Sequence, residues 1–168
     1  METTDMDVQE SKRRCPWTEL GPNGEGLVVH DFLTTRLSAL MTALRRQMTT
    51  PYASQFGLSV PEWRVLSLIA HAGTLSFSDL VVQSTSDKAL VSRTVRLLES
   101  RELIEVGPDG ETTKKRIACT ITPQGKALHA QVMPIARKRQ AEVIGALSAE
   151  EREVFFAAVE KLQAAVEK

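Results

Sequence analysis

Two short clusters of cations are the residues best placed to do chemistry in this chain: Lys88, Arg93 and Arg96, and then the run Lys114, Lys115 and Arg116. Grouped ammonium and guanidinium charges make a local field that attracts phosphate, whatever the charge of the whole molecule. The whole is neutral, with 21 basic and 21 acidic residues, which argues against a uniformly basic nucleic-acid binder. Residues 61–122 hold eight acids and eight bases, so the average conceals both clusters. Other chemistry finds less support. Cys15 and Cys119 lie far apart without metal-type spacing, and His30, His71 and His129 form no close cluster. Neither a disulfide framework nor a metal site is indicated, and no cofactor is expected. Cys15 follows Lys12-Arg13-Arg14, whose charges favour a reactive thiolate, whereas Cys119 falls in a strand-like run and is expected to be buried and inert. A Gly-rich phosphate loop, a His-Glu-x-x-His pair and a nucleophile elbow are all missing, so the chain does not read as an enzyme.

The elements that must position those cations belong to an ordinary globular chain, 168 residues long, 42% hydrophobic and 25% charged. No apolar run approaches eighteen residues and no signal-like stretch opens the sequence, which predicts a cytoplasmic protein without a membrane span. Residues 1–26 read as a flexible extension, broken by Pro16, Gly21, Pro22, Gly24 and Gly26. Phe32, Leu33, Leu37, Leu40, Met41 and Leu44 then make one helical stripe, expected to close at Thr49-Thr50-Pro51. Ser59-Val60-Pro61-Glu62 predicts a helix start, with Ser59 as cap, and the helix runs to Ala72-Gly73. A short helix over Ser76–Val82, a turn over Gln83-Ser84-Thr85-Ser86, and a stronger helix over Asp87–Arg101 follow. Two short helices joined by a polar turn are the helix-turn-helix pattern. Leu103–Val106 and Arg116–Ile121 read as strands of a hairpin turned at Gly107-Pro108-Asp109-Gly110, so that Lys114, Lys115 and Arg116 sit in or beside its loop. Thr122-Pro123 opens a further helix, and Ser148 with Glu151 forms a capping box for the last.

In this order the segments resemble the MarR family of winged helix-turn-helix transcriptional regulators. The likeness rests on 56–66 (FGLSVPEWRVL), 87–99 (DKALVSRTVRLLE), Leu103-Ile104, the hairpin, and Ile121-Thr122-Pro123-Gln124-Gly125, and it extends over roughly residues 30–166. One departure is visible in the wing: where the family commonly has Asp-Arg-Arg, this chain has Thr113-Lys114-Lys115, so Lys114 would act as a point charge. The resemblance implies a mainly α protein with a small β-hairpin wing (α+β). A winged DNA-binding domain would cover 51–122, and helices within 27–50 and 123–168 would form a dimerisation region. It also implies a homodimer on pseudo-palindromic double-stranded DNA. The apolar content of those flanking helices, more than one small winged domain can cover, points the same way.

With Val91, Val95 and Leu98 turned to the core, the opposite face of the recognition helix holds Lys88, Ala89, Ser92, Arg93 and Arg96. Arg93 is the first choice for a guanine edge, Lys88 and Ser92 for bases or phosphates, and Arg96 for backbone. Ser86 is placed at the helix cap, where free N–H groups favour a phosphate. Lys114, Lys115 and Arg116 would reach the minor groove or flanking phosphates. The resemblance further implies repression relieved by a small aromatic acid or its thioester, for which His30, Arg45, Arg46, Tyr52 and Trp63 are the candidate ligand-binding residues. Trp63 also reads as core, His30 as a solvated or capping residue, and Arg45 and Arg46 as favouring a helix C-terminus. A redox- or metal-responsive regulator of the same fold, or a winged protein-interaction module without DNA, are the other readings.

Overall fold

A computed structural model describes residues 15–108 and 117–167, so the wing loop with Lys114, Lys115 and Arg116 lies outside the described residues, as do Lys12-Arg13-Arg14. Two compact units divide the chain, Met1–Ala43 and Leu44–Lys168. In the first, a 3-10 turn at Val29–Asp31 precedes helix α1, Leu33–Leu44. Of the expected stripe, Phe32, Leu37, Leu40 and Met41 are exposed and Leu33 and Leu44 are half-buried.

The second unit opens with a π turn at Arg45–Thr49 and helix α2, Thr50–Gln55. Here the sequence expectation fails, because Thr50 keeps helical angles (φ −59°, ψ −48°) and Pro51 sits in the first turn of α2. Proline lacks only a donor that a first turn does not need, and the wider π turn before it absorbs the change in bonding pattern. Helix α3, Val60–Ala72, starts as anticipated. Ser59 Oγ accepts from the Glu62 N–H, and the Glu62 carboxylate takes the Ser59 N–H at 2.8 Å. It ends at Gly73, whose φ of +80° is readily adopted only by glycine.

A three-residue strand, β1 (Thr74–Ser76), has no counterpart in the sequence reading. It pairs antiparallel with β3 (Ile117–Ile121), which lies between β1 and β2 (Ile104–Pro108), and Leu75, Cys119 and Val106 line up across the three. Helix α4, Phe77–Ser84, capped by Ser76, and helix α5, Lys88–Ser100, make the helix-turn-helix, with Thr85 left-handed between them. Helices α6, Pro123–Ile144, and α7, Ala149–Val166, complete the chain, the latter on the Ser148/Glu151 capping box. The core gathers Leu66 and Ile69 of α3, Leu80 of α4, Val91 and Leu98 of α5, Ile104 and Cys119 of the sheet, and Val132 of α6. This packing turns one face of α5 inward and leaves the other to solvent. The result is a mainly helical winged helix-turn-helix, in which a small antiparallel sheet supports the hairpin.

Candidate functional site

Helix α5 is built to present cations. Its cap is Asp87, whose carboxylate accepts the Leu90 N–H at 2.8 Å. Val91, Thr94, Val95 and Leu98 are buried, and the Thr94 hydroxyl is satisfied by the Leu90 carbonyl at 2.8 Å. On the other side Lys88, Ala89, Arg93 and Arg96 are exposed and Ser92 is half-buried. Among the described residues, no carboxylate forms an ion pair with Lys88, Arg93 or Arg96, which leaves their charges unneutralised. One residue is misplaced by the sequence reading. Ser86 does not cap α5: its hydroxyl turns back to the Ser84 carbonyl at 3.1 Å, and Asp87, one residue on, supplies the cap. Aspartate and serine serve equally well there, so the composition of this turn could not choose between them.

The ligand candidates separate. Tyr52 and Trp63 come together as buried side chains, 4% and 7% exposed, with ring centroids 5.9 Å apart in an edge-to-face pair. A second partner of Trp63 is His129 of α6, stacked at 5.5 Å and 20°. The sequence reading missed His129 as a member of this group. Its signal was the helical stripe, since Gly125, Val132 and Ala136 of α6 are buried and His129 falls on the same face. Its Nε2 atom is buried without a hydrogen-bond partner among the described residues. Arg45 and Arg46 are exposed in the π turn.

His30 belongs to the first unit, where it is exposed and lines a cavity of about 460 Å³ with Cys15, Pro16, Trp17, Val28, Asp31 and Arg36. In that unit the Trp17 indole donates to the Asp31 carbonyl at 2.7 Å.

Burial, aided by the charge of Arg137, pulls the His129 pKa below its ordinary 6.5. The unfolded chain therefore takes a proton first, and this contribution to stability is full above about 6.5 and is lost as pH falls through that value towards the folded pKa. The thermal midpoint of the wild-type chain should accordingly drop more between about pH 7.5 and 5.5 than that of His129→Phe. Equal drops would deny His129 this role. The thiols diverge as well. Backbone N–H hydrogen bonding at Trp17, then the Thr18 side chain, lowers the pKa of exposed Cys15, whereas burial, then Glu99, raises that of Cys119. Among the described residues no group of three or more His, Cys, Asp or Glu could hold a metal, and no helix is long and apolar enough to cross a membrane.

Comparison with known proteins agrees with this architecture. A model of the MarR family matches residues 56–114, from the corner before α3 into the wing. The transcriptional regulator HosA of Escherichia coli O127:H6 is 29% identical over 105 residues, covering 62% of this chain and 77% of HosA. A MarR/EmrR family transcriptional regulator from Acinetobacter sp. ADP1 superposes with a TM-score of 0.75 at 27% identity, over 84% of this chain and 99% of that one. Two further structures share the fold at lower identity. A mutant MarR from E. coli complexed with operator DNA has a TM-score of 0.67 at 20% identity, over 76% of this chain and 91% of that one. NadR in complex with 4-hydroxyphenylacetate reaches 0.69 at 21%, over 81% and 95%. A matched family segment that spans the helix-turn-helix and enters the wing, a regulator similar in sequence and a superposition over most of the chain converge on one likeness: this protein is similar to the transcriptional regulators of the MarR family.

Proposed function

We propose that the chain is a homodimeric, sequence-specific DNA-binding repressor released by a small aromatic acid or its thioester. The observation that carries DNA reading is the exposed cationic face of α5, where Lys88, Arg93 and Arg96 stand opposite the buried Val91, Val95 and Leu98. Arg93 reads a guanine through two parallel hydrogen bonds, and Lys88 and Ser92 touch bases or phosphates beside it. Ala89 allows close approach to the groove, and Arg96 grips the backbone. Ser86 flanks the capped N-terminus, where a phosphate meets the N–H groups of the first turn. Lys114, Lys115 and Arg116 add salt-sensitive contacts from the wing. The operator DNA bound to the E. coli MarR mutant supports this assignment by likeness of fold.

Dimerisation is supported by apolar surface that the chain leaves uncovered. No residue of α7 is buried, and Phe155 and Phe156 are 45% and 66% exposed. Phe32 and, on α1, Leu37, Leu40 and Met41 are likewise exposed. A soluble monomer rarely keeps that much apolar surface in water, so the segments 27–50 and 123–168 form the dimerisation region and 51–122 the reading domain. Effector binding falls to Tyr52, Trp63 and His129, whose Nε2, without a partner among the described residues, can meet a hydroxyl or carboxylate, with Arg45 and Arg46 as further cationic groups; His30, in the first unit, is a candidate by itself. The 4-hydroxyphenylacetate of NadR supports that ligand class. Such a ligand releases DNA only by favouring the state that binds it poorly.

A gel-shift titration on the DNA upstream of its own coding sequence, repeated with a panel of aromatic acids and their coenzyme A thioesters, tests the reading. One compound should reverse the shift, and sedimentation at micromolar concentration should give about 37 kDa, twice the 18.6 kDa chain. Binding that no compound reverses would remove the proposed effector class, and a stable monomer would remove the dimer.

A further inference from the structure

The C-terminal end of the recognition helix is held from two sides. Arg101 caps α5 and reaches across to α3: its Nη1 donates to the Gly57 carbonyl at 2.9 Å and to Glu62 Oε1 at 3.0 Å. Glu62 is 8% exposed and is itself pinned, since its other carboxylate oxygen accepts both the Ser59 N–H at 2.8 Å and the Ser59 hydroxyl at 2.6 Å. Gly57 offers its carbonyl from a left-handed conformation, φ +66°. The backbone of the same Arg101 faces the other way, where its carbonyl accepts from Gln124 Nε2 of α6 at 3.2 Å. The next two residues continue that seam. Thr122 donates through its hydroxyl to the Glu102 carbonyl at 2.7 Å and through its N–H to the Leu103 carbonyl at 3.2 Å.

We propose that Arg101 is a positioning residue for DNA reading, which fixes the tilt of the recognition helix by tying its end to the starts of α3 and α6. The proposal rests on the assignment of α5 to the major groove. Arg93 lies eight residues from Arg101, about 12 Å along the helix axis, so a tilt of about 5° pivoting there moves Arg93 by about 1 Å. A bidentate pair tolerates about half that before one hydrogen bond is lost. Ser59 and Glu62 form a preformed socket on a rigid helix start, which gives the guanidinium one geometry rather than several. The charge of Arg101 is spent on these two acceptors, and this separates it from Lys88, Arg93 and Arg96, which have no carboxylate partner among the described residues.

The test uses the full chain, a duplex that the wild type selects from a random pool, and a scrambled duplex at the same salt concentration. Arg101→Ala should lower the selected-to-scrambled affinity ratio about tenfold, leaving the scrambled affinity and the salt slope unchanged. Arg101→Lys should recover most of the ratio. Glu62→Gln keeps a side-chain oxygen for the Ser59 cap and should cost about threefold, with the Arg101→Ala/Glu62→Gln pair no worse than Arg101→Ala alone. An equal loss on both duplexes with a shallower salt slope would make Arg101 a phosphate contact and overturn the proposal. An unchanged ratio in Arg101→Ala, or in Glu62→Gln should the alanine variant fail to fold, would overturn it too. A wild type that selects no duplex would remove the DNA-reading assignment and this proposal with it, whereas an unchanged ratio in a selecting protein removes the proposal alone.

Discussion

Arg93→Ala is expected to abolish discrimination at one guanine of each half-site while leaving the fold intact. Arg93 is exposed, makes no ion pair among the described residues, and shares α5 with a core face formed by Val91, Thr94, Val95 and Leu98, so its removal leaves no buried group unpaired. A bidentate arginine–guanine pair contributes about 1–3 kcal/mol of discrimination, so the preference for the correct base should fall about 5- to 150-fold. Competition between the selected duplex and single-base variants would show the loss confined to one position per half-site. Unchanged discrimination would move base reading to another residue of the same face. Lys114→Ala gives the contrast: binding should weaken on all duplexes alike and the salt slope should shrink by about one.

Gly125→Ala should damage the protein itself. A Cβ at Gly125 would collide with the Leu103 carbonyl oxygen and approach the Leu103 carbonyl carbon to 3.0 Å and Ile121 Cδ1 to 2.8 Å. The first obstacle is backbone, held where Leu103 accepts the Thr122 N–H, and it cannot swing aside as a flexible side chain could. The Gly125 N–H also donates to Thr122 Oγ1 at 2.9 Å, so a shift of α6 that relieved the clash would strain its own cap. Overpacking against fixed backbone costs about 2–4 kcal/mol, which lowers the thermal midpoint by about 5–15 °C at constant protein concentration. Gly107→Ala is the control, with nothing among the described residues within 4 Å of the added methyl. If both variants melt alike, the close approach of α6 to the end of the recognition helix is not real.

That second result bears on what could be read in the sequence. Gly125 closes the segment Ile121–Gly125, which marked the family resemblance before any reason for the glycine was in view, and the collision with Leu103 supplies the reason. Helix starts were legible because each is written in adjacent residues: Ser59 with Glu62, Ser148 with Glu151, and Thr122 before Pro123 announce their caps locally. Features set by distant partners were not. Strand β1 is three residues long and exists because Thr74–Ser76 meet Ala118–Thr120 some forty residues on. Pro51 reads locally as a stop, yet the π turn before it keeps the chain helical. The choice of Asp87 over Ser86 as cap turned on a backbone geometry that both residues permit.

The sites follow the same division. The cationic face of α5 could be read from helical spacing alone, since Val91, Val95 and Leu98 fix which side is dry. The place of His129 beside Trp63 needed the approach of α6 to α3, a contact between residues 66 positions apart. The pairing of Arg101 with Glu62 stayed unremarked for the same cause, because a cation at a helix end and a glutamate in a first turn each have an ordinary local explanation.

The proposed role of the chain stands or falls on whether it reads a base sequence. Selection of bound duplexes from a random pool by the purified protein, followed by footprinting of the winners, is the most direct measurement. It should enrich one pseudo-palindromic site with half-sites about one helical turn apart, occupied by two chains. A pool that emerges unenriched after repeated rounds, from a folded protein at moderate salt, would contradict it.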